Sequence, residues 1–395
     1  MWDIVPKKQQ SFVSALDWVG ALEKDERILG QAEIALEEGL AFGPEISKLY
    51  ATPQSPPWHA EGRDIREHLK RMFCGLFGVL EGKTLLHIEE FQREKHVHAE
   101  VRELQETIQE GAGTLKAFIY LHDIAKAETL SFHAPLGSLG SKEGFAQRDR
   151  HHPILATERE RALFQKLWNA FAVRHPGLSP RETQTKFYDT YEIEAHYFRH
   201  AIVGASDTYL ALRQRVCEAL RLNDRDARML HFLIRYHMDP VDSVESFRYM
   251  ADRATKDGLD ADDALDLLLA TRFLDSGVGS LWYKENEQRV DLNPTLTFLR
   301  AEELSHPVRR ETRRKKEGDK VRALRRTILR EAKLDGDSLF ELLKTPFGPE
   351  RKIVMEEIES RIEEHGKTID FGLHESEIAR RIAEAKKTLT AREVA

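Results

Sequence analysis

The run from Leu115 to Thr129 constrains the rest of the chain more than any other stretch. Leu115, Phe118, Ile119, Leu121 and Ile124 give it an apolar face at helical spacing, so a helix here must be buried. His122 and Asp123 sit inside that same run. A buried imidazole or carboxylate needs a partner, because an unpaired polar group stripped of water is costly. Placed side by side, the imidazole nitrogen and the carboxylate oxygen can also reach one divalent cation. The dipeptide alone equally fits a half-buried histidine beside a capping aspartate, so residues elsewhere in the chain have to decide.

Those residues recur in one kind of setting. His68 lies in the apolar helix running to Leu80, and His152 opens a helix carrying Leu155, Ala156, Leu163 and Leu167. His237 ends the amphipathic stretch from Leu220, for which Asp224 reads as the cap. Asp275 closes a helix over about 262–274, whose buried face is Leu265, Leu268, Leu269 and Phe273. A helical bundle can bring side chains so placed to one interior point, and a cation satisfies several of them at once. The expected metal ligands are therefore His68, His122, Asp123, His152, His237 and Asp275. His151 is an immediate rival to His152, and Asp252 and Asp266 are weaker rivals to Asp275. His196 and His200 stand at i, i+4 without an adjacent acid and read as structural. His87, His96 and His98 fall in the polar stretch 87–112, which reads as a solvated helical insertion.

Helical periodicity recurs from Phe12 through Leu16, Val19 and Leu22, and again from Ile28 to Leu40, with Asp25 as the intervening N-cap. No β-periodic stretch or internal repeat stands out, and the expected fold is all-α: a helical bundle with N-terminal helices and a smaller C-terminal helical domain. Pro53, Pro56 and Pro57, then Asn293-Pro294 and His306-Pro307, punctuate the chain into 1–52, 53–292 and 293–395, with insertions near 87–112 and 172–205. Hydrophobic residues make up 41% and charged residues 32% of the 395, and the formal net charge of −7 excludes a generic polyanion binder. The two cysteines, far apart, give no disulfide framework. With no signal-type or membrane-spanning run, a cytoplasmic address is expected.

The order lone His, adjacent His-Asp, distant Asp resembles the signature of the HD superfamily of metal-dependent phosphohydrolases, matched here by His68, His122, Asp123 and Asp275. Members with a second metal add histidines where His152 and His237 stand, and a lysine three residues after the pair, here Lys126, faces the substrate phosphate. Pro57-Trp58-His59-Ala60-Glu61-Gly62-Arg63-Asp64 leading to His68 looks like the opening of the HD domain of bacterial tRNA nucleotidyltransferases. Leu220-Arg221-Leu222-Asn223 leading to Arg235-Tyr236-His237-Met238 is similar to a later piece of it, and Asp335-Gly336-Asp337-Ser338-Leu339 with Phe347-Gly348-Pro349-Glu350 to its ending. The chain departs from that family in lacking the nucleotidyltransferase head. The 54-residue spacing from His68 to His122 is also long, as is the segment between His152 and Leu220.

The resemblance implies a metal-dependent phosphohydrolase (a phosphatase, nucleotidase or phosphodiesterase) that uses one or two divalent ions drawn from Mn, Mg, Fe, Ni and Co. In that reading Asp123 and Lys126 are catalytic, and Lys126, His59, Glu61 and Arg63 meet the substrate. Residues 306–333 hold twelve Lys and Arg against four Asp and Glu. Arg309, Arg310, Arg313, Arg314, Lys315 and Lys316 open this basic stretch, which would attract a nucleic-acid backbone and points to a nucleotide or nucleic-acid terminus, RNA included, as substrate. Two other classes fit the same residues: an HD-type diiron oxygenase, and an RNA-binding module with a vestigial site. The oligomeric state is not legible.

Overall fold

The computed structural model describes residues 14–89, 91, 98–145, 154–239, 243–284, 287, 289–291, 307–312 and 314–315. The chain divides into two compact units, Met1–Arg309 and Arg310–Ala395. The first is described below.

Its elements run in order α1 (Ala15–Leu22), α2 (Glu26–Leu40), α3 (Pro44–Tyr50), α4 (Ile65–Leu80), a 3₁₀ turn at Leu85–His87, α5 (His98–Glu110), α6 (Ala112–Leu121) and α7 (Lys126–Thr129). Next come β1 (Leu130–His133), α8 (Leu139–Glu143), α9 (Glu158–Arg174), α10 (Pro180–Tyr191), β2 (Glu194–Tyr197), α11 (His200–Gly204) and α12 (Leu210–Ala219). α13 (Asp224–Tyr236), α14 (Val244–Lys256) and α15 (Ala261–Arg272) lead into a π-helical segment at Phe273–Gly279, followed by β3 (Trp282–Lys284) and β4 (Arg289–Asp291). The fold is mostly helical, as the periodicity predicts. None of its helices among the described residues is long and apolar enough to cross a membrane.

The caps follow side-chain chemistry. Asp25 accepts from Arg27 N and Ile28 N at the start of α2. At α13 the cap is Asn223, one residue before the expected Asp224, and it accepts from Asp226 N at 3.0 Å. α4 is the axis of the main core. It buries Ile65, His68, Leu69, Met72, Phe73, Leu76 and Val79, and it packs against α2, α6 and the π-helical segment.

Two expectations are corrected. Among the described residues of 87–112 the chain is not merely solvated, because α5 sends Val101, Leu104 and Ile108 into the main core against α4 and α15. Its sequence is mostly polar, and a single stripe of three apolar residues is enough to dock it. The chain also contains strands, too short at three or four residues for a periodic signal. β1 pairs antiparallel with β2 from Leu130↔Tyr197 to His133↔Glu194, and β3 with β4. The β1–β2 pair is the foot of a lobe with its own core, in which Phe132, Phe145, Phe164, Trp168, Phe171 and Phe187 pack together. The stretch 172–205 expected as inserted falls within this lobe and the start of α11. One foot of the lobe directly follows α7 and the other directly precedes α11.

Arg71, 2% exposed, ties α4 to the π-helical segment. Its Nε donates to Gly279 O at 3.0 Å and one Nη to Val278 O at 2.9 Å, while the other pairs with Glu23 at 2.6 Å. Replacing Arg71 with Met would leave two buried carbonyls without donors and Glu23 without this partner. The expected loss is about 2–4 kcal/mol in urea unfolding.

Candidate metal centre

Four imidazoles and two carboxylates converge at the middle of the bundle. His68 comes from the body of α4, His122 and Asp123 from the end of α6, His237 from the end of α13, and Asp275 from the π-helical segment. The sixth is His200, the first residue of α11. All six are at most 8% exposed. The ring centroids form a chain: His68 to His122 at 5.7 Å, His122 to His237 at 5.2 Å, and His237 to His200 at 5.2 Å.

Local structure aims the rings. His122 and His237 each occupy a helix C-cap, where the last carbonyls lack intrahelical partners. His122 Nδ1 faces Phe118 O and Ile119 O, both at 3.3 Å, and His237 Nδ1 faces Ile234 O at 2.8 Å. His200 Nδ1 faces Tyr197 O at 3.2 Å. A carbonyl only accepts, so in each ring Nδ1 carries the hydrogen and the neutral form turns the Nε2 lone pair inward. Two helix C-termini also direct the negative end of their dipoles at the same point.

The six side chains form two linked groups. In the first, His68 Nε2 lies 3.1 Å from Asp275 Oδ1, and His122 Nε2 lies 3.9 Å from the same oxygen. In the second, Asp123 Oδ1 lies 3.2 Å from His200 Nε2 and 3.8 Å from His237 Nε2. Asp123 joins them, since its Oδ2 faces His122 Nε2 at 3.2 Å. Within each triad the ligand atoms lie within 4.8 Å of one another. Metal–ligand bonds of about 2.0–2.2 Å span roughly 4 Å across an ion, so each triad has the size of a cation site.

The donor set also calls for a cation chemically. His68 Nε2, His122 Nε2 and Asp123 Oδ2 are buried, and none completes a hydrogen bond of acceptable geometry. The Nε2 atoms of His200 and His237 stand 3.2 Å apart, at hydrogen-bond distance when one of them carries a proton. A cation held by both would take the place of that proton. Burial pushes the His237 imidazole down to about 4, with His200 and His122 adding to the effect, which keeps it unprotonated at neutral pH. Burial acts against protonation of His68 too, but Asp275 and Glu61 outweigh it and raise that ring to about 9. Burial would raise both aspartates. His122 and Lys126 instead hold Asp123 well below the carboxylate range, and His68 with His122 does the same for Asp275.

The sequence-expected site residues divide as follows. His68, His122, Asp123, His237 and Asp275 come together. His152 and its rival His151 lie outside the described residues. Among the other rivals, Asp252 is exposed and Asp266 pairs with Arg309. His200, read from the sequence as structural, also joins the converging group. The i, i+4 pairing with His196 is not the relevant relation, because His196 sits in β2 and bonds Glu194 at 2.7 Å. What brings His200 inward is the foot of the lobe, which single-sequence spacing does not signal.

Lys126 is 4% exposed, with Nζ 2.8 Å from Asp123 Oδ2 and 4.8 Å from the Tyr197 ring centroid. Glu61 does not line an entrance. It is buried, its Oε1 takes His59 Nδ1 at 2.8 Å and faces His68 Nδ1 at 3.2 Å, and its Oε2 accepts from Leu281 N. Its burial would raise the carboxyl, but His59 and His68 hold it low. Glu61 thus sets the orientation of the His68 ring, as outer partners of ligating histidines do. Arg63 pairs with Asp64 at 2.7 Å and lines a cleft of about 590 Å³ with Lys48 and Arg161.

Arg309 is not a surface cation. It is 7% exposed and paired with Asp266 at 2.6 Å and Glu103 at 2.9 Å. Arg310, Arg314 and Lys315 are exposed, and Arg313 and Lys316 lie outside the described residues.

Close packing sets the position of His68. A Cβ on Gly279 would stand 2.8 Å from His68 Cε1, 2.7 Å from Met72 Cγ and 3.0 Å from Leu274 O. Gly279→Ala should therefore cost about 1–3 kcal/mol in chemical denaturation and move the His68 ring resonances in an imidazole-detected NMR spectrum. Arg309→Ala should lower the melting temperature by several degrees, since it removes a buried guanidinium from two carboxylates.

Compared with protein-family models, with curated proteins and with solved structures, the chain matches none.

Proposed function

We propose that this protein is a metal-dependent phosphohydrolase of HD type, acting on a nucleotide or a nucleic-acid terminus. The observation that carries the reading is the inward convergence of four Nε2 atoms on two carboxylates at a buried point. This supports a divalent-cation centre in which His68, His122, Asp123 and Asp275 hold one ion. Asp123, His200 and His237 hold a second, with His152 as a further ligand by its place in the sequence order. Nitrogen and oxygen donors of this kind suit Mn, Mg, Fe, Ni or Co. A divalent ion so held supplies an acidified water and draws charge from a phosphoryl oxygen.

The chain's own residues do the rest. Glu61 and the helix-end carbonyls orient the imidazoles, so little reorganisation is left for the reaction. Lys126 offers a compact positive charge at the edge of the donor set, suited to a phosphate oxygen. The side chains of Asp275 and His59 keep 12% and 18% of their area exposed, and substrate is proposed to enter beside them. The nucleic-acid part of the reading rests on the basic stretch beginning at Arg310.

Elemental analysis of the purified protein should find a first-row divalent metal, and chelation should abolish hydrolysis of p-nitrophenyl phosphate or its bis ester, with recovery on adding Mn, Ni or Co. Asp123→Ala should lower turnover at least about a thousandfold, some 4 kcal/mol of barrier. His200→Ala should weaken metal loading, and Glu61→Gln should do so by about 10–100-fold. Full turnover in Asp123→Ala would refute the site assignment. A panel of mononucleotides, cyclic nucleotides and RNAs with different 3′ ends then identifies the ester.

A further inference from the structure

A second cleft, lined by none of the six converging residues, lies among α12, α13 and α14 and encloses about 760 Å³. That is within the range of about 300–1,000 Å³ usual for small-molecule sites. Four arginines line it: Arg213 from α12, Arg228 and Arg235 from α13, and Arg253 from α14. Arg213 is buried and holds the end of α11 through Gly204 O at 2.8 Å and Ser206 O at 2.7 Å. The other three are exposed, and none makes an ion pair among the described residues. His231, which also lines the cleft, is pushed below its usual range by burial and then by Arg213 and Arg235, against an opposing pull from Asp257 and Asp207.

The lining is not uniformly basic. Leu210 and Leu222 form an apolar wall beside the buried Tyr236 ring, over which Arg235 lies at 5.6 Å, and three carboxylates, Glu218, Asp224 and Asp257, stand around it. A simple polyanion gains nothing from the wall and is repelled by the acids. A ligand with a phosphate, a flat ring and exocyclic amino groups uses all three kinds of surface. Arginines bond phosphate oxygens in pairs, the wall covers a ring, and carboxylates accept from ring amino groups.

We propose that the cleft among α12, α13 and α14 binds a nucleoside phosphate. The site is separate from the His–Asp centre and does not depend on how that centre is read. It adjoins two of the centre's residues through the backbone: α13 runs directly into His237, and Arg213 grips the helix that begins with His200. Occupancy of the cleft thus bears on the helices that present both imidazoles of the second triad.

The test is equilibrium binding of ATP to the full chain by calorimetry, with inorganic triphosphate as the second probe. The variants are Arg228→Ala/Arg253→Ala in the cleft and Asp123→Asn in the centre. Saturable ATP binding that survives in Asp123→Asn, weakens at least tenfold in the arginine double variant, and exceeds triphosphate binding at least tenfold supports the site. Absence of saturable binding, equal affinity in the arginine variant, or loss in Asp123→Asn alone overturns it. Triphosphate binding as tight as ATP overturns the nucleoside part. Both arginines are exposed, so the wild-type and double-variant comparison decides the matter even if Asp123→Asn does not fold.

Discussion

The structure depends on how it accommodates an acid and an imidazole at the end of an apolar helix. α6 buries every residue from Thr114 to Leu121 except Lys116, and His122 and Asp123 beyond it are at most 1% exposed. Their polar atoms must be answered from inside the bundle. The answers come from the body of α4, the start of α11, the end of α13 and the π-helical segment. Burying six such groups together is tolerable only when their charges and lone pairs are matched, and each imidazole spends its Nδ1 on the scaffold and leaves Nε2 for the centre.

The frame around this point is built to hold it still. Arg71 and His68 stand on the same helix, and Arg71 grips the carbonyls of Val278 and Gly279. Gly279 in turn lies against the His68 ring with no room for a side chain. The π-helical widening at Phe273–Gly279 departs from the regular ladder where Asp275 is presented, a place where such irregularities recur at functional sites. Glu61 closes the arrangement from the other side by joining His59, His68 and Leu281 N.

The lobe on β1 and β2 gives the centre a second mechanical input. Lys126 lies just before one foot and His200 just after the other, and the two strands are paired between them. The lobe has its own aromatic core. The arginine-lined cleft reaches the same neighbourhood along a different path, through α13 and the end of α11. The second triad is therefore supported by parts of the chain that are far apart in sequence.

Helical class, the position of α2 and its cap at Asp25, and the buried faces of α6 and α15 were legible from the sequence, because they depend on local periodicity and capping chemistry. So were five of the six converging side chains, since each sits in or at the end of an apolar helix, where a polar group stands out. His200 was not legible, because its inward position depends on where β2 pairs with β1. Nor was the burial of Arg309, whose partners Glu103 and Asp266 are distant in the chain, or the role of Glu61, which is set by a contact with Leu281 N some 220 residues away. Local pattern names which residues have to be buried. Only the long-range packing of helices decides which of them meet, because that meeting depends on distances no spacing along the chain encodes.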